Sequence, residues 1–476
     1  MEKLFNKKNT IIFVGLTALF KTFLSATLEL HPDEAYYWLW SKRLAFGYFD
    51  HSPMVAYFIK LTTLFSHNEL AVRFSGLIVL IIMSILIWKF VKNLFGETAA
   101  AASIFALNSM PIMFIGSIVI TPDTPAFLFF SCAVYTLWQL ISTNKTKFWY
   151  LTGIFFGLAL LSKYTAVLFC LCLAVYMVLD KKLFWLKNVH FYLMFLISLT
   201  IFLPVVFWNS SHDWISFTFQ IGHGLVSSKL HFNYIFEYLA AQAGVIGPIT
   251  FIAGVIASFY YFGSKESKKV FLASFCIPVI VFFMFTAIKR YPGANWPSVA
   301  YLPFAVMAAQ FMLSNVKKRK IFIWGIVLNV FCSVLIGIHM KYSIFPVAKI
   351  SPQLAVLDTT NWFRGWKELS DALMKRKIVY AVTKQHQWSA TIEYYTDLKI
   401  ASFVSADRTN EYGIWWTKEP ADYQTSKKAV VWVDYEMDKD YSEDIAAFPP
   451  NATELIVIKR MGQPIRQYLI IEFGDS

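Results

Sequence analysis

Long apolar runs separated by short charged joints fill the first 340 residues. A bilayer span needs about 20 mostly apolar residues. Runs of that kind lie near 10–28, 70–88, 98–119, 124–142, 148–162, 165–180, 190–208, 237–262, 270–288, 296–314 and 320–339. The pattern predicts about eleven transmembrane helices, with the fifth and sixth short enough to be tilted or re-entrant. After residue 345 the rhythm changes. Leu369–Met374 and Trp388–Tyr395 read as helix, and Ile378–Val382, Ala429–Val433 and Glu454–Arg460 read as strand. Alternating strands and helices predict a small α/β domain. The expected architecture is an α-helical polytopic membrane module over 1–340, with a first outer loop at 29–69, followed by an extracytoplasmic α/β domain over 345–476.

Composition agrees with that pattern. The chain is 57% hydrophobic and 15% charged, far from the roughly one-quarter charged composition of a soluble domain. The 46 Phe, 24 Tyr and 16 Trp suit aromatic belts at membrane interfaces. The net charge of +13 is unevenly spread: after residue 340 there are 17 basic and 18 acidic side chains, against 26 and 12 before it. The basic excess sits in short joints. These carry Lys3, Lys7 and Lys8, then Lys89 and Lys92, Lys145 and Lys147, Lys181, Lys182 and Lys187, Lys265, Lys268 and Lys269, and Lys317, Lys318, Arg319 and Lys320. With eleven spans all six joints fall on one side, which the positive-inside rule assigns to the cytoplasm. The N-terminus is then cytoplasmic and the C-terminal domain periplasmic. A nucleic-acid binder would gather its basic charge on one soluble face, so no nucleic-acid partner is expected. All five cysteines lie in apolar runs, which predicts neither a disulfide framework nor a cysteine metal site.

The orientation gathers a set of ionisable residues on the outer face: Asp33, Glu34, Asp50, His51, Asp123, Lys163, His212, Asp213, His223, Lys289 and Arg290. Each has a bland alternative. Pro32 followed by Asp33 and Glu34, with Lys42 and Arg43 one helix later, describes a well-capped helix lying in the interface with its aromatics among the headgroups. Asp50-His51-Ser-Pro53 also fits a simple turn. Asp123 fits the N-cap of the next span. Lys163, Lys289 and Arg290 fit snorkelling side chains, but they lie opposite the cytoplasmic lysines, which favours anion binding. Lys21 and Arg73 fall inside spans, where they either snorkel or pair within the bundle. His212, His223 and His231 cluster in sequence without a zinc-ligand spacing.

Several of these stretches together resemble a known family. They are Pro32-Asp33-Glu34, Tyr48-Phe-Asp-His-Ser-Pro53, Ala71-Val-Arg-Phe74, Thr121-Pro-Asp123 and Leu160-Leu-Ser-Lys163. The resemblance is to the family-C (GT-C) membrane glycosyltransferases, in the protein O-mannosyltransferase-like group that includes the lipid A aminoarabinose and galacturonic acid transferases. It implies transfer of a sugar from a polyprenyl-phosphate donor to lipid A, lipopolysaccharide or another envelope acceptor, at the periplasmic face of a bacterial inner membrane. Asp33, Glu34 and Asp123 would then be the catalytic set. Asp50, His51, Lys163, His223, Lys289 and Arg290 would bind substrate. Where the family pattern has Glu-Lys before the proline, this chain has Asp50-His51. No cofactor is required, and a divalent metal is left open. The competing reading is a lipid or solute transporter or flippase, which would place ionisable groups near mid-bilayer in broken helices and inverted repeats.

Overall fold

A computed structural model describes residues 4–225, 230–290, 293–351, 358–396, 398–402, 410–415, 426–434, 440–446 and 451–473. The chain divides into two compact units. One comprises residues 1–25, 45–65 and 73–334; the other comprises 26–44, 66–72 and 335–476. The stretch expected as a single outer loop, 29–69, is thus shared between them.

The first unit is helical. Among the described residues six helices are long and apolar enough to cross a membrane: Lys7–Thr27, Glu69–Phe95, Asp123–Thr143, Val189–Ser210, Ser267–Ala287 and Val316–Tyr342. The helices Asn233–Ile246 and Pro248–Phe262 make a seventh if taken as one span, although they bend by 114° where Gly247 adopts φ 92° before Pro248. Three shorter apolar helices, Lys147–Leu160, Tyr164–Leu179 and Ser298–Met312, accompany them. The run at 98–119 is broken into Glu97–Ser109 and Pro111–Ile115. Pro111 carries no amide hydrogen and disfavours the helical region for Met110, which has φ −60° and ψ 128°. Apolar length alone therefore overstates the number of unbroken spans.

Close packing depends on small residues. A Cβ at Gly153 would lie 2.5 Å from the Met194 carbonyl oxygen, and one at Gly157 would meet Ile201 and Ser198. The Lys147–Leu160 and Val189–Ser210 helices approach through these positions, as small residues permit between membrane helices. Ala99–Ala102 are also buried. Arg73 pairs within the bundle: it is fully buried and its Nη1 donates to the Ser25 carbonyl at 3.0 Å. Lys21 does not snorkel. It is fully buried, with Nζ 5.6 Å from the centre of the Phe114 ring.

The second unit holds a five-stranded sheet of order β2-β1-β3-β5-β4. The strands are β1 Tyr380–Thr383, β2 Lys399–Ser402, β3 Lys428–Asp434, β4 Ala452–Arg460 and β5 Gln463–Phe473. β1 pairs in parallel with β2 and β3, while β5 runs antiparallel to β3 and β4. The helix His386–Tyr395 supplies the crossover from β1 to β2 that a parallel pair needs. Met461 and Gly462, both with positive φ, turn β4 into β5, the geometry of a tight two-residue hairpin.

Arg460 ties this sheet to the C-terminal end of the Val316–Tyr342 helix. Its guanidinium donates to the His339 carbonyl, Ser343 Oγ, Asp358 Oδ2, Thr360 Oγ1 and Asn361 Oδ1. Burial brings its pKa down to about 10. Burial pushes the Asp358 carboxyl up, but Thr360, His339 and Arg460 together hold it below its ordinary value. A depressed carboxyl pKa adds stability above the ordinary value, and that stability is lost as pH falls through the depressed one. Arg460→Ala strands the Asp358 charge, so it should cost about 3–5 kcal/mol and shrink the acid-sensitive part of the stability. Thermal unfolding of purified protein across pH checks this, and an unchanged melting temperature would contradict it.

Candidate active site

Asp123 opens the helix Asp123–Thr143, where the helix dipole favours a negative charge. Three side chains converge on it. Lys163 Nζ lies 2.7 Å and Ser298 Oγ 2.8 Å from Oδ1, and Asn295 Nδ2 lies 2.7 Å from Oδ2. Both members of the ion pair are largely buried, with side-chain exposures of 10% for Lys163 and 16% for Asp123. Lys163 sits in an extended link, φ −157°, between the end of Lys147–Leu160 and the short turn Tyr164–Val167. That break points the ammonium across to Asp123 instead of along its own helix. Tyr301 and Gln242 hold the approach to Asn295: Gln242 Nε2 donates to the Ala294 carbonyl at 2.9 Å, and Tyr301 Oη lies 2.7 Å from Gln242 Oε1.

The Asp50-His51 turn is pinned beside the same link. Ser52 Oγ donates to the Leu160 carbonyl at 2.9 Å, and the Met54 amide donates to the Leu161 carbonyl at 3.1 Å. Asp50 is buried. Its carbonyl accepts from Gln220 Nε2, which also lies 3.3 Å from His51 Nδ1. Gly47 allows the turn to lie flat on Trp208, since a Cβ there would come within 2.7 Å of the indole. Tyr164 Oη and Ser216 Oγ are 2.9 Å apart, which joins the 209–225 hairpin to the residue after Lys163.

The remaining expected residues of this unit lie differently. Lys289 and Arg290 are exposed just beyond the helix Ile277–Ala287. His212 stacks on Trp208 with ring centres 4.1 Å apart, and its Nδ1 bonds the Trp208 carbonyl, a local structural role. His231 stacks on Tyr234. His223 lies on the helix Ile215–Leu225, but its side chain lies outside the described residues. Among the described residues no three His, Cys, Asp or Glu side chains form a group suited to a metal ion.

Asp33 and Glu34 belong to the second unit. The helix Pro32–Lys42 starts with a capping box built on His31. Nδ1 of His31 accepts from the Asp33 amide at 3.2 Å, and Glu34 Oε2 accepts from the His31 amide at 3.0 Å. Glu34 is fully buried in that role. Asp33 is 43% exposed, with a carboxylate oxygen 3.7 Å from His31 Nδ1. The His31 ring stacks on Trp362 at 5.2 Å with a 10° tilt. The aromatics of this helix do not face headgroups. Tyr36, Tyr37, Trp38 and Trp40 are buried within the second unit, where Tyr36 packs on His386 and Trp38 on Tyr394.

The sequence reading found Asp123 and Lys163 separately, and the structure pairs them. It missed Asn295, Ser298, Gln220 and Gln242, whose neutral side chains carry no charge contrast. It also missed His31, for which a signal existed: Glu three residues after a cap position is the capping-box spacing.

Known proteins resemble this chain in sequence and in fold. Residues 50–208, which contain Asp50, His51, Asp123 and Lys163, match the family described as dolichyl-phosphate-mannose-protein mannosyltransferase. The lipid A galacturonosyltransferase RgtD of Rhizobium johnstonii is 25% identical over 435 residues, covering 89% of this chain and 84% of that protein. An undecaprenyl phosphate-alpha-4-amino-4-deoxy-L-arabinose arabinosyl transferase of Proteus mirabilis is 23% identical over 367 residues, covering 71% of this chain and 65% of that one. The crystal structure of ArnT from Cupriavidus metallidurans bound to undecaprenyl phosphate superposes with a TM-score of 0.70 at 12% identity, over 96% of this chain and 97% of that one. The chain is therefore a membrane glycosyltransferase with the fold of ArnT, and residues 50–208 carry its similarity to the dolichyl-phosphate-mannose-protein mannosyltransferase family.

Proposed function

We propose that this protein moves a sugar from a polyprenyl-phosphate donor to a phosphate or hydroxyl of lipid A, at the periplasmic face of a bacterial inner membrane. The observation that carries the reading is the Lys163 ammonium, held in place by Asp123 inside the matched family domain. The similarity to the lipid A galacturonosyltransferase along 89% of the chain supports the choice of acceptor. The charged joints of the sequence support the orientation, with the N-terminus in the cytoplasm and the C-terminal domain outside.

In this reaction the bond between the anomeric carbon and the phosphate oxygen breaks, and a bond from the acceptor oxygen to that carbon forms. The departing polyprenyl phosphate gains negative charge. A fixed cation in a water-poor setting stabilises that charge with little reorganisation. Lys163 fills this role. Asp123 has its contacts with Lys163, Ser298 and Asn295, so it acts as a positioning residue for the ammonium and not as a base. Asp50 and His51 contribute to substrate binding beside that centre, and Lys289, Arg290 and His223 are assigned to substrate binding from the sequence alone.

Asp33 serves the acceptor. Its carboxylate remains accessible while Glu34 closes the helix cap. Toward a hydroxyl acceptor it takes the proton as general base. Toward a phosphate acceptor, whose oxygen is already nucleophilic, it orients the acceptor instead. Glu34 supports Asp33 by fixing the start of the helix.

Two sets of variants test these roles in a transfer assay with purified protein and a polyprenyl-phosphate sugar. Asp33→Asn should abolish transfer without lowering the melting temperature. Glu34→Ala, which removes the acceptor of the His31 amide, should retain transfer but lose about 0.5–2 kcal/mol of stability, the usual range for a helix cap. Undiminished transfer by Asp33→Asn would overturn its role. Asp123→Asn and Ser298→Ala should raise the donor KM more than they lower kcat, with Asp123→Glu recovering part of the loss. A fall in kcat alone, with donor KM unchanged, would contradict a positioning role. Mass spectrometry of lipid A from cells with and without the protein tests the acceptor, and lipid A of unchanged mass would sink that assignment.

A further inference from the structure

A separate crevice opens on the flank of the first unit, between the helices Lys7–Thr27, Glu69–Phe95 and Glu97–Ser109. Its volume is about 490 Å3, within the range of small-molecule sites. Its walls are almost wholly apolar: Ile11, Val14, Ala18, Ile81, Ile85 and Ile104 contribute. Ile11, Ile81 and Ile85 are exposed, so it opens sideways, out of the bundle. Gly15 forms part of the floor, and a Cβ there would meet nothing within 4 Å.

One end of this crevice is different. Lys7, Trp88 and Lys89 line it, and both lysines are exposed. Glu97 nearby is bonded to Lys92 at 2.6 Å and also feels the more distant charge of Lys7. Thr10 and Ser84 also line the crevice, but their hydroxyls donate to carbonyls of their own helices, Asn6 and Leu80. The polar demand of the site is thus concentrated in two ammonium groups beside an indole, above an apolar slot. An aromatic with two lysines at the end of an apolar crevice is the arrangement of a headgroup level.

We propose that this crevice binds one anionic glycerophospholipid, with its phosphate between Lys7 and Lys89 and an acyl chain along Ile11, Gly15, Ala18, Ile81 and Ile85. Charge complementarity selects the occupant: a zwitterionic lipid offers the two lysines no net charge, while a lipid with a net negative headgroup does. The site is built from residues that take no part in the Asp123–Lys163 centre. It would attach a bilayer lipid to the first helix of the bundle.

Native mass spectrometry of the purified full chain, delipidated and titrated with phosphatidylglycerol or chain-matched phosphatidylcholine, tests the proposal. One phosphatidylglycerol should bind per chain, and phosphatidylcholine should bind far more weakly. The double variant Lys7→Gln, Lys89→Gln should weaken phosphatidylglycerol binding by about thirtyfold, on the basis of roughly one factor of five per interfacial lysine. Gly15→Leu should block binding by filling the slot while raising helix propensity, so a folded, monodisperse variant is expected. Equal retention of both lipids, or unchanged phosphatidylglycerol binding in the double variant, would overturn the assignment. Displacement of phosphatidylglycerol from this site by equimolar undecaprenyl phosphate would show that it serves the donor carrier instead, and would also overturn it.

Discussion

A charge buried at the end of an apolar bundle must be paired, and that constraint organises the helical unit around Lys163 and Asp123. Removing one partner from such a pair costs about 3–5 kcal/mol, because the other is left uncompensated. Lys163, in the link after one helix, and Asp123, at the start of another, meet the constraint together. Their pairing fixes the break after Leu160, the start of the 123–143 helix and, through Asn295 and Ser298, the approach to the Ser298–Met312 segment. The Asp50-His51 turn is fastened to the same break by Ser52 and Met54. The cation proposed to hold the donor phosphate is therefore also the point where four stretches of chain are joined.

The two acids that follow the first helix divide their work in the same spirit. A helix start leaves backbone amides without partners, and Glu34 together with His31 satisfies two of them. Asp33 is thereby held on a rigid turn with its carboxylate accessible. Rigid placement of a reactive side chain by its neighbours is what an active site requires. The capping reading of this motif holds for Glu34 and His31, and it leaves Asp33 available for the role proposed for it.

Much of this was legible in the sequence. Apolar runs, joint lysines and the change of rhythm near residue 345 gave the membrane module and the α/β domain. Three of the five strands, β1, β3 and β4, fell where alternating or continuous apolar patterns put them. β5 was hidden because Pro464, Arg466 and Gln467 interrupt its pattern, yet Arg466 is buried, with its guanidinium 4.4 Å from the Trp366 ring. Breaks within the apolar runs, at Pro111 and at Gly247-Pro248, were not legible because proline and glycine interrupt a helix without changing the hydropathy of the run. The burial of Tyr36, Tyr37, Trp38 and Trp40 could not be read at all. Their partners His386 and Tyr394 lie some 350 positions away, and interfacial and buried aromatics look alike in sequence. Within the site, charged residues stood out against an apolar background. The amides and hydroxyls that orient them did not, because they are common everywhere and act only through distant contacts.

The central claim is that Lys163 holds the phosphate of the lipid carrier. Binding of undecaprenyl phosphate, without a sugar, to the purified full chain tests it most directly, because chemistry at the acceptor plays no part. The account predicts that Lys163→Met binds at least tenfold more weakly than the unaltered protein, as expected for loss of one charge-assisted hydrogen bond, while Asp33→Asn binds normally. Equal affinity in Lys163→Met and the unaltered protein would contradict it.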